Sequence, residues 1–278
     1  FCPACVRRFA REYGVIDENS ATLDALIALL ESDDLNVRKK IRDMWIDFNA
    51  KRVNEVFKLI EKTVHEVDPG IRLGFMSHVA GTDGLENEKW AESLKGGKAE
   101  NVSWRPGGGV YTEFSPGDVL DKALRISAQI RYLPPFVDRI ESEMENYPYH
   151  SLRKSPGFTA FESLIYLAAG CTGTAFNICS AIAFVPEEYD PFFKMAYEVE
   201  KAGDMIVDVM GRAPSAGIGF PWNKRTAADP ASKRWKLGAN NGIPFPNELA
   251  SIGIPAADRV ESTSVFLLDG ASACQLTD

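Results

Sequence analysis

The segment DRIESEMENYP, residues 138–148, sets Glu141, Glu143 and Glu145 at alternate positions behind Val137 and Ile140. Successive side chains of a strand point to opposite sides, so this spacing puts all three carboxylates on one face. Two placements satisfy the pattern. The row could be the solvent face of an edge strand, or it could belong to a central strand of a closed barrel, whose side chains look into the lumen or its mouth. The flanks favour the barrel. An apolar helical stretch (FTAFESLIYLAA, 158–169) and an apolar strand (GTAFNI, 173–178) follow at once. A carboxylate kept from water is costly unless it is paired or functional.

Working outward, short strands alternate with helices. IRLGFM at 71–76 reads as a strand, followed by a helix around 88–94. VSWR at 102–105 is a second strand, followed by the glycine run at 107–109. SPGD at 115–118 has the form of an N-cap, an N1 proline and an early acidic residue, opening a helix to about residue 131. Residues 136–142 form the third strand, 158–169 a helix closed by Gly170, and 173–178 the fourth strand. Strands separated by single helices and short loops imply parallel β/α units. No glycine fingerprint of a dinucleotide fold follows any of them. The expected fold is therefore α/β, with the strands forming half of a (β/α)8 TIM barrel.

Ahead of this series, residues 3–13 read as a short helix and Ser20 as the cap of another running to about 32. From Leu35 to Val67 apolar residues recur at spacings of three and four, a long amphipathic helix stopped by Asp68-Pro69-Gly70. After about Tyr189 the character changes: a helix at 191–210 leads to GIGFP at 217–221, a polar stretch, and further short apolar segments. Residues 1–189 are accordingly expected to be one domain, and 190–278 a linker helix with the start of a second α/β domain.

The chain has 278 residues, and the Asp and Glu total of 39 against 31 Lys and Arg gives a net charge of −8. That field repels nucleic acid and anionic membrane surfaces, so neither is an expected partner. Five cysteines do not make a disulfide framework in a chain this long. The chain opens FCPACV without a methionine, so no compartment is read from this end.

In a β/α barrel the active site forms at the C-terminal ends of the strands. The first strand ends at Ser77 and His78, the second at Trp104 and Arg105 with Tyr111 beyond, the third at Glu143 and Glu145, the fourth at Asn177. Carboxylates, an aromatic, a guanidinium and amide or imidazole donors suit a carbohydrate site, with aromatic faces for stacking and forked donors for hydroxyls. Each also has a plain structural reading: His78 as a satisfied structural histidine, Trp104 as core, Asn177 as a turn-capping amide. Arg105 is more telling, because a central arginine needs a carboxylate, and Glu143 or Glu145 is nearest.

These features together resemble clan A glycoside hydrolases, especially the family 42 β-galactosidases and related β-mannosidase-like enzymes. FCPACVRRFAREYG (1–14) is similar to their cysteine-rich turn and helix after the fourth barrel strand. The long helix ending DPG and then IRLGFM resembles their passage into the fifth strand. ENYP (145–148), KSPG (154–157) and a helix ending AAG resemble their seventh-strand nucleophile segment. The tail resembles the opening of their amidotransferase-like domain, which builds a trimer.

The resemblance implies a retaining exo-glycosidase acting on β-galactosides or β-mannosides, with no cofactor in the chemistry. The nucleophile carries over to Glu143 or Glu145: Glu145 fits the E-x-x-P spacing with Pro148, and Glu143 lies one pleat deeper. Glu141 is the least favoured of the three. The acid/base carboxyl and strands one to four would precede Phe1, so no turnover is expected from this segment alone. Structural zinc through Cys2 and Cys5 is implied as well, although two thiolates do not complete a tetrahedral site. The alternatives are a glycoside phosphorylase, with an anion pocket of Arg105, Lys154 and the glycine run, and a non-catalytic carbohydrate-binding or assembly protein.

Overall fold

A computed structural model describes residues 2–77, 86–97, 99–130, 133–179, 185–213, 216–219, 233–235, 244–257 and 263–267. Its first part is helical. Helix α1 (Pro3–Tyr13) starts where the Cys2 side chain accepts the Cys5 N–H and stops at Gly14, whose φ of 65° reverses the chain. A single 3-10 turn (Glu18–Ser20) follows, then α2 (Leu23–Leu30), capped by the Thr22 hydroxyl. The cap is thus Thr22 and not Ser20, because Ser20 is spent inside the turn.

Helix α3 (Leu35–Val67) runs 33 residues from a cap in which Asp34 accepts the Asn36 and Val37 N–H groups. Its first half packs Ile41, Trp45 and Phe48 on Val6, Phe9, Leu26 and Leu30. Its second half turns to a different core: Ala50 and Phe57 join the residues beneath the sheet, where Phe57 meets Phe75 edge-on at 4.8 Å.

Four strands, β1 (Gly74–Met76), β2 (Val102–Arg105), β3 (Val137–Glu145) and β4 (Gly173–Asn177), form a parallel sheet in chain order. Helices α4 (Asn87–Lys95), α5 (Gly117–Ile130) and α6 (Pro156–Ala168) lie between them, and α7 (Pro186–Met210) follows. Trp90 and Leu94 of α4, Ile126 of α5 and Tyr166 of α6 share one core with Trp104, Ile140 and Met144 of the strands. The protein is thus an α/β fold on a four-stranded parallel sheet. Among the described residues no helix is long and apolar enough to cross a membrane.

The third strand runs past the expected end at residue 142 to Glu145, because β4 pairs with it throughout: Glu141 opposite Gly173, Glu143 opposite Ala175, Glu145 opposite Asn177. Helix α7 begins at Pro186 and carries Pro191 inside its second turn.

Beyond α7, a second small parallel pair joins β5 (Ile218–Gly219) to β6 (Ala256–Ala257), with α8 (Pro244–Ser251) before β6. The GIG sequence is obligatory here. A Cβ on Gly217, whose φ is 152°, would lie 2.1 Å from the Pro255 carbonyl oxygen, and one on Gly219 would lie 2.3 Å from Thr263.

Candidate active site

Along β3 the apolar positions Val137, Ile140 and Met144 are buried, as is Ser142, whereas Glu141, Glu143 and Glu145 are half-buried on the other row. The strand's alternation therefore does place the three carboxylates on the face turned away from the helices. Their surroundings then separate them. Glu141 is paired within its own strand to Arg139 at 2.7 Å, at the exposed edge of the row. Glu143 is held by the Arg105 guanidinium from the end of β2. Glu145, at the strand's last residue, faces neutral donors: the Tyr149 hydroxyl at 3.4 Å and the Asn177 amide at 3.3 Å.

Asn177 and Tyr149 also bond each other at 3.2 Å, so the three groups form one cluster at the ends of β3 and β4. Tyr149 adopts φ 63°, a left-handed conformation uncommon for a bulky side chain. Its carbonyl accepts from the Tyr189 hydroxyl at 3.3 Å and its N–H donates to the Asn146 carbonyl at 2.9 Å, and these bonds hold that backbone in place. Tyr147 lies between Tyr149 and Tyr111, edge-on to both with ring centroids 5.7 and 5.9 Å away. Burial, and then the nearby Glu145 charge, push the Tyr111 phenol above its ordinary range.

Tyr111 reaches this cluster because of the glycine run. A Cβ on Gly109 would come within 2.2 Å of the Tyr111 ring, so only glycine lets the ring fold back over the loop. The loop, together with Ser77, Tyr111, Lys122, Arg125 and Glu143, walls a cavity of about 330 Å³ at the C-terminal ends of β1, β2 and β3. That is near the lower end of ordinary ligand pockets.

Behind the cavity lies a group of buried charges that no sequence motif announced. Glu162 of α6 is fully buried and accepts from Lys154 at 2.6 Å and from the Tyr166 hydroxyl at 2.8 Å. Lys122 of α5 sits 4.0 Å from the same carboxylate and 4.4 Å above the Tyr166 ring. Burial pulls the Lys122 ammonium down to about 8, against the opposing pull of Glu162. Burial likewise pushes the Cys171 thiol up to about 12 and raises the Tyr166 phenol.

Several expected members of the site stand elsewhere. Trp104 is 1% exposed, edge-on to Phe75 at 5.0 Å, within the core beneath the sheet. It is a packing residue and offers no face to a ligand, because strand alternation turns it away from Arg105. His78 lies outside the described residues. Ser77 is buried, with its N–H on the Arg105 carbonyl at 3.0 Å and its hydroxyl on the Gln129 side chain. Arg105, Tyr111, Asn177, Glu143 and Glu145 do come together at one end of the sheet.

An anion pocket of Arg105, Lys154 and the glycine run is not what the chain builds. Lys154 is 1% exposed, and its ammonium is spent on Glu162 and on the carbonyls of Val110 and Glu145. Cys2 and Cys5 share a hydrogen bond, sulfur to sulfur 2.9 Å, at the exposed start of α1. That contact lowers the Cys2 thiol and raises that of Cys5. Among the described residues no group of three or more His, Cys, Asp or Glu is placed to hold a metal ion.

Sequence reading passed over Tyr147, Tyr149, Lys122 and Glu162. The two tyrosines had a signal, aromatics directly behind a strand-end carboxylate. The other two had only the oddity of a charge on a helix that packs against the sheet. No family model, curated protein or solved structure matches the chain.

Proposed function

We propose that the chain carries the nucleophile of a retaining exo-glycoside hydrolase of the clan A type, acting on β-galactosides or β-mannosides. In this reading the sheet is the C-terminal half of a (β/α)8 barrel. Two features support the barrel: the strands follow one another without the reversal of a doubly wound sheet, and α4, α5 and α6 share one core with the strands.

The observation that carries the reading is the setting of Glu145. It ends a parallel strand, is half-buried, and its carboxylate accepts from Tyr149, Asn177 and Tyr111, with no cation bonded to it among the described residues. A nucleophile needs an oxygen lone pair free to attack. Glu143 has its carboxylate committed to Arg105, whereas the neutral donors on Glu145 hold it in place without cancelling its charge. Glu145 is accordingly the nucleophile, and the Arg105–Glu143 pair is a charge-balanced wall offering donors and acceptors to sugar hydroxyls. The rings of Tyr111 and Tyr147, 43% and 57% exposed, supply the apolar faces for a pyranose.

The chemistry follows the two-carboxylate scheme. Glu145 attacks the anomeric carbon as a partner acid protonates the departing oxygen, and water then cleaves the glycosyl-enzyme. That partner belongs to the barrel half that would precede β1, with its carboxyl about 5 to 5.5 Å from Glu145. A trimer and a structural zinc at Cys2 and Cys5 are further proposals resting on the resemblance alone.

The test is covalent trapping of the full-length protein with 2-deoxy-2-fluoro-β-galactosyl fluoride and its mannosyl counterpart, followed by peptide mass analysis. The added mass is expected on Glu145. Label on Glu143 would exchange the two roles, and label on neither would end the glycosidase reading.

A further inference from the structure

The end of β3 outruns its neighbour on one side. Strand β2 stops at Arg105, and its last pairing with β3 is Trp104 opposite Ile140. Beyond that point, among the described residues, β3 is paired only with β4. Carbonyls of a strand point alternately to its two sides. The Ile140 carbonyl accepts the Thr172 N–H at 2.7 Å, on the β4 side. The carbonyls of Glu143 and Glu145, at odd spacings from it, therefore point to the side where β2 has ended. They need donors that no strand among the described residues supplies.

Two buried ammonium groups fill the gap. Lys122 donates to the Glu143 carbonyl, and Lys154 donates to the Glu145 carbonyl at 2.7 Å. Both lysines are almost wholly buried, 3% and 1% exposed, and Glu162 between them is their shared counter-charge. They come from different places, Lys122 from α5 and Lys154 from the loop before α6, yet they act on successive outward carbonyls of one strand. Each stands in for the missing strand neighbour at a residue whose side chain the proposed reaction uses.

We infer that Lys122 and Lys154 are positioning residues that fix the aim of the Glu143 and Glu145 carboxylates through the main chain. The catalytic half of this inference rests on the glycosidase reading; the main-chain grip does not. A carbonyl released from its ammonium lets the last pleat of β3 move, and an error of about 1 Å in a reacting group costs about 100-fold in rate.

The two halves are separated by two measurements. The first follows the backbone carbonyl ¹³C resonances of Glu143 and Glu145 through a pH titration. The Glu143 resonance is expected to move with a midpoint of about 8, as Lys122 loses its proton amid Glu162, Lys154, Cys171 and Glu145. That movement should vanish in Lys122→Met. A Glu143 carbonyl that does not titrate, or that titrates unchanged in the variant, overturns the grip.

The second measurement compares trapping rates with the 2-fluoro fluorides in the wild type and in the double variant Lys154→Met/Glu162→Leu. Removing both charges together leaves Lys122 without its counter-charge, so the comparison is made above pH 8, where that buried ammonium has shed its proton and no unpaired ion remains. The double variant is expected to unfold at a similar denaturant concentration and to take the label about 100-fold more slowly, with substrate KM little changed. Equal trapping rates overturn the positioning role. A wild type that takes no label ends the glycosidase reading and the catalytic half with it, and the carbonyl titration still decides the grip. Should the double variant fail to fold, the single Lys122→Met variant replaces it in the same comparison.

Discussion

Glu162→Gln isolates the buried charge cluster. The carboxylate is fully buried and accepts from Lys154 at 2.6 Å and from Tyr166 at 2.8 Å, with Lys122 at 4.0 Å. Glutamine keeps the volume and one acceptor, so no cavity opens, and the lost quantity is the charge. Two ammonium groups are then left buried without a counter-ion, and breaking a buried pair in this way costs about 3–5 kcal/mol. At about 2–4 °C per kcal/mol for a chain near this size, the melting temperature should fall by about 6–20 °C. Urea denaturation and calorimetry would read both values.

The deficit should also depend on pH. Glu162 raises the Lys122 pKa, which stands at about 8 in the folded protein. Above pH 8 the wild type sheds that proton too, and the share of the attraction that acted on Lys122 is gone, leaving the Lys154–Glu162 pair. The gap between the two proteins therefore narrows as pH rises towards 8 and is level above it. A loss below about 1 kcal/mol, the size typical of an exposed ion pair, would refute the buried-network account.

Stability itself should follow a shaped pH course. Lys122 falls from 10.5 to about 8 on folding, so between those values the unfolded chain holds the extra proton and stability rises with pH, by about 1.4 kcal/mol per pH unit. Cys171 rises from 9.0 to about 12, so above pH 9 the unfolded chain has lost a proton that the folded one keeps, and stability falls at the same rate. The sum is a rise from pH 8 to 9 and a plateau to about 10, above which the raised Tyr166 phenol also keeps a proton that the unfolded chain loses, and stability falls; Cys171→Ala should let the rise continue to about pH 10, as denaturation at fixed pH would show. Gly109→Ala puts a methyl group where the Tyr111 ring now lies, and should slow trapping by the 2-fluoro fluorides while leaving the denaturation midpoint nearly unchanged. Trp104→Ala should cost about 3–5 kcal/mol as a buried core truncation. Trp104→Phe should leave sugar affinity unchanged in calorimetric titration, because the ring faces the helices.

Much of the fold was legible because it is written locally. Helix α3 begins at the Asp34 cap and ends before Asp68-Pro69-Gly70, where its apolar spacing stops. The alternation in β3 put three glutamates on one face, and β3 keeps that pattern to Glu145. Helix α5 opens close to the proline and acidic residue that announced it. Caps, breakers and periods act within a few residues, and a reader of the chain meets all of them.

What escaped such reading depends on neighbours far away in sequence. Whether Trp104 is core or platform turns on which face of β2 the helices cover, and that follows from the way β1 and β3 flank it. The length of β3 past residue 142 is set by its pairing with β4, some thirty residues later. Lys122 and Glu162 gave no signal because the partners they take are not their chain neighbours: the Glu143 carbonyl lies 21 residues from Lys122, and Lys154 meets Glu162 from a loop eight residues away. The sequence by itself determined the elements, their order and the row of carboxylates. The tertiary structure alone decided which carboxylate meets the Arg105 cation, which meets the tyrosines, and which buried amines complete the strand end, because a charge or a carbonyl acquires its partner only when distant segments close around it.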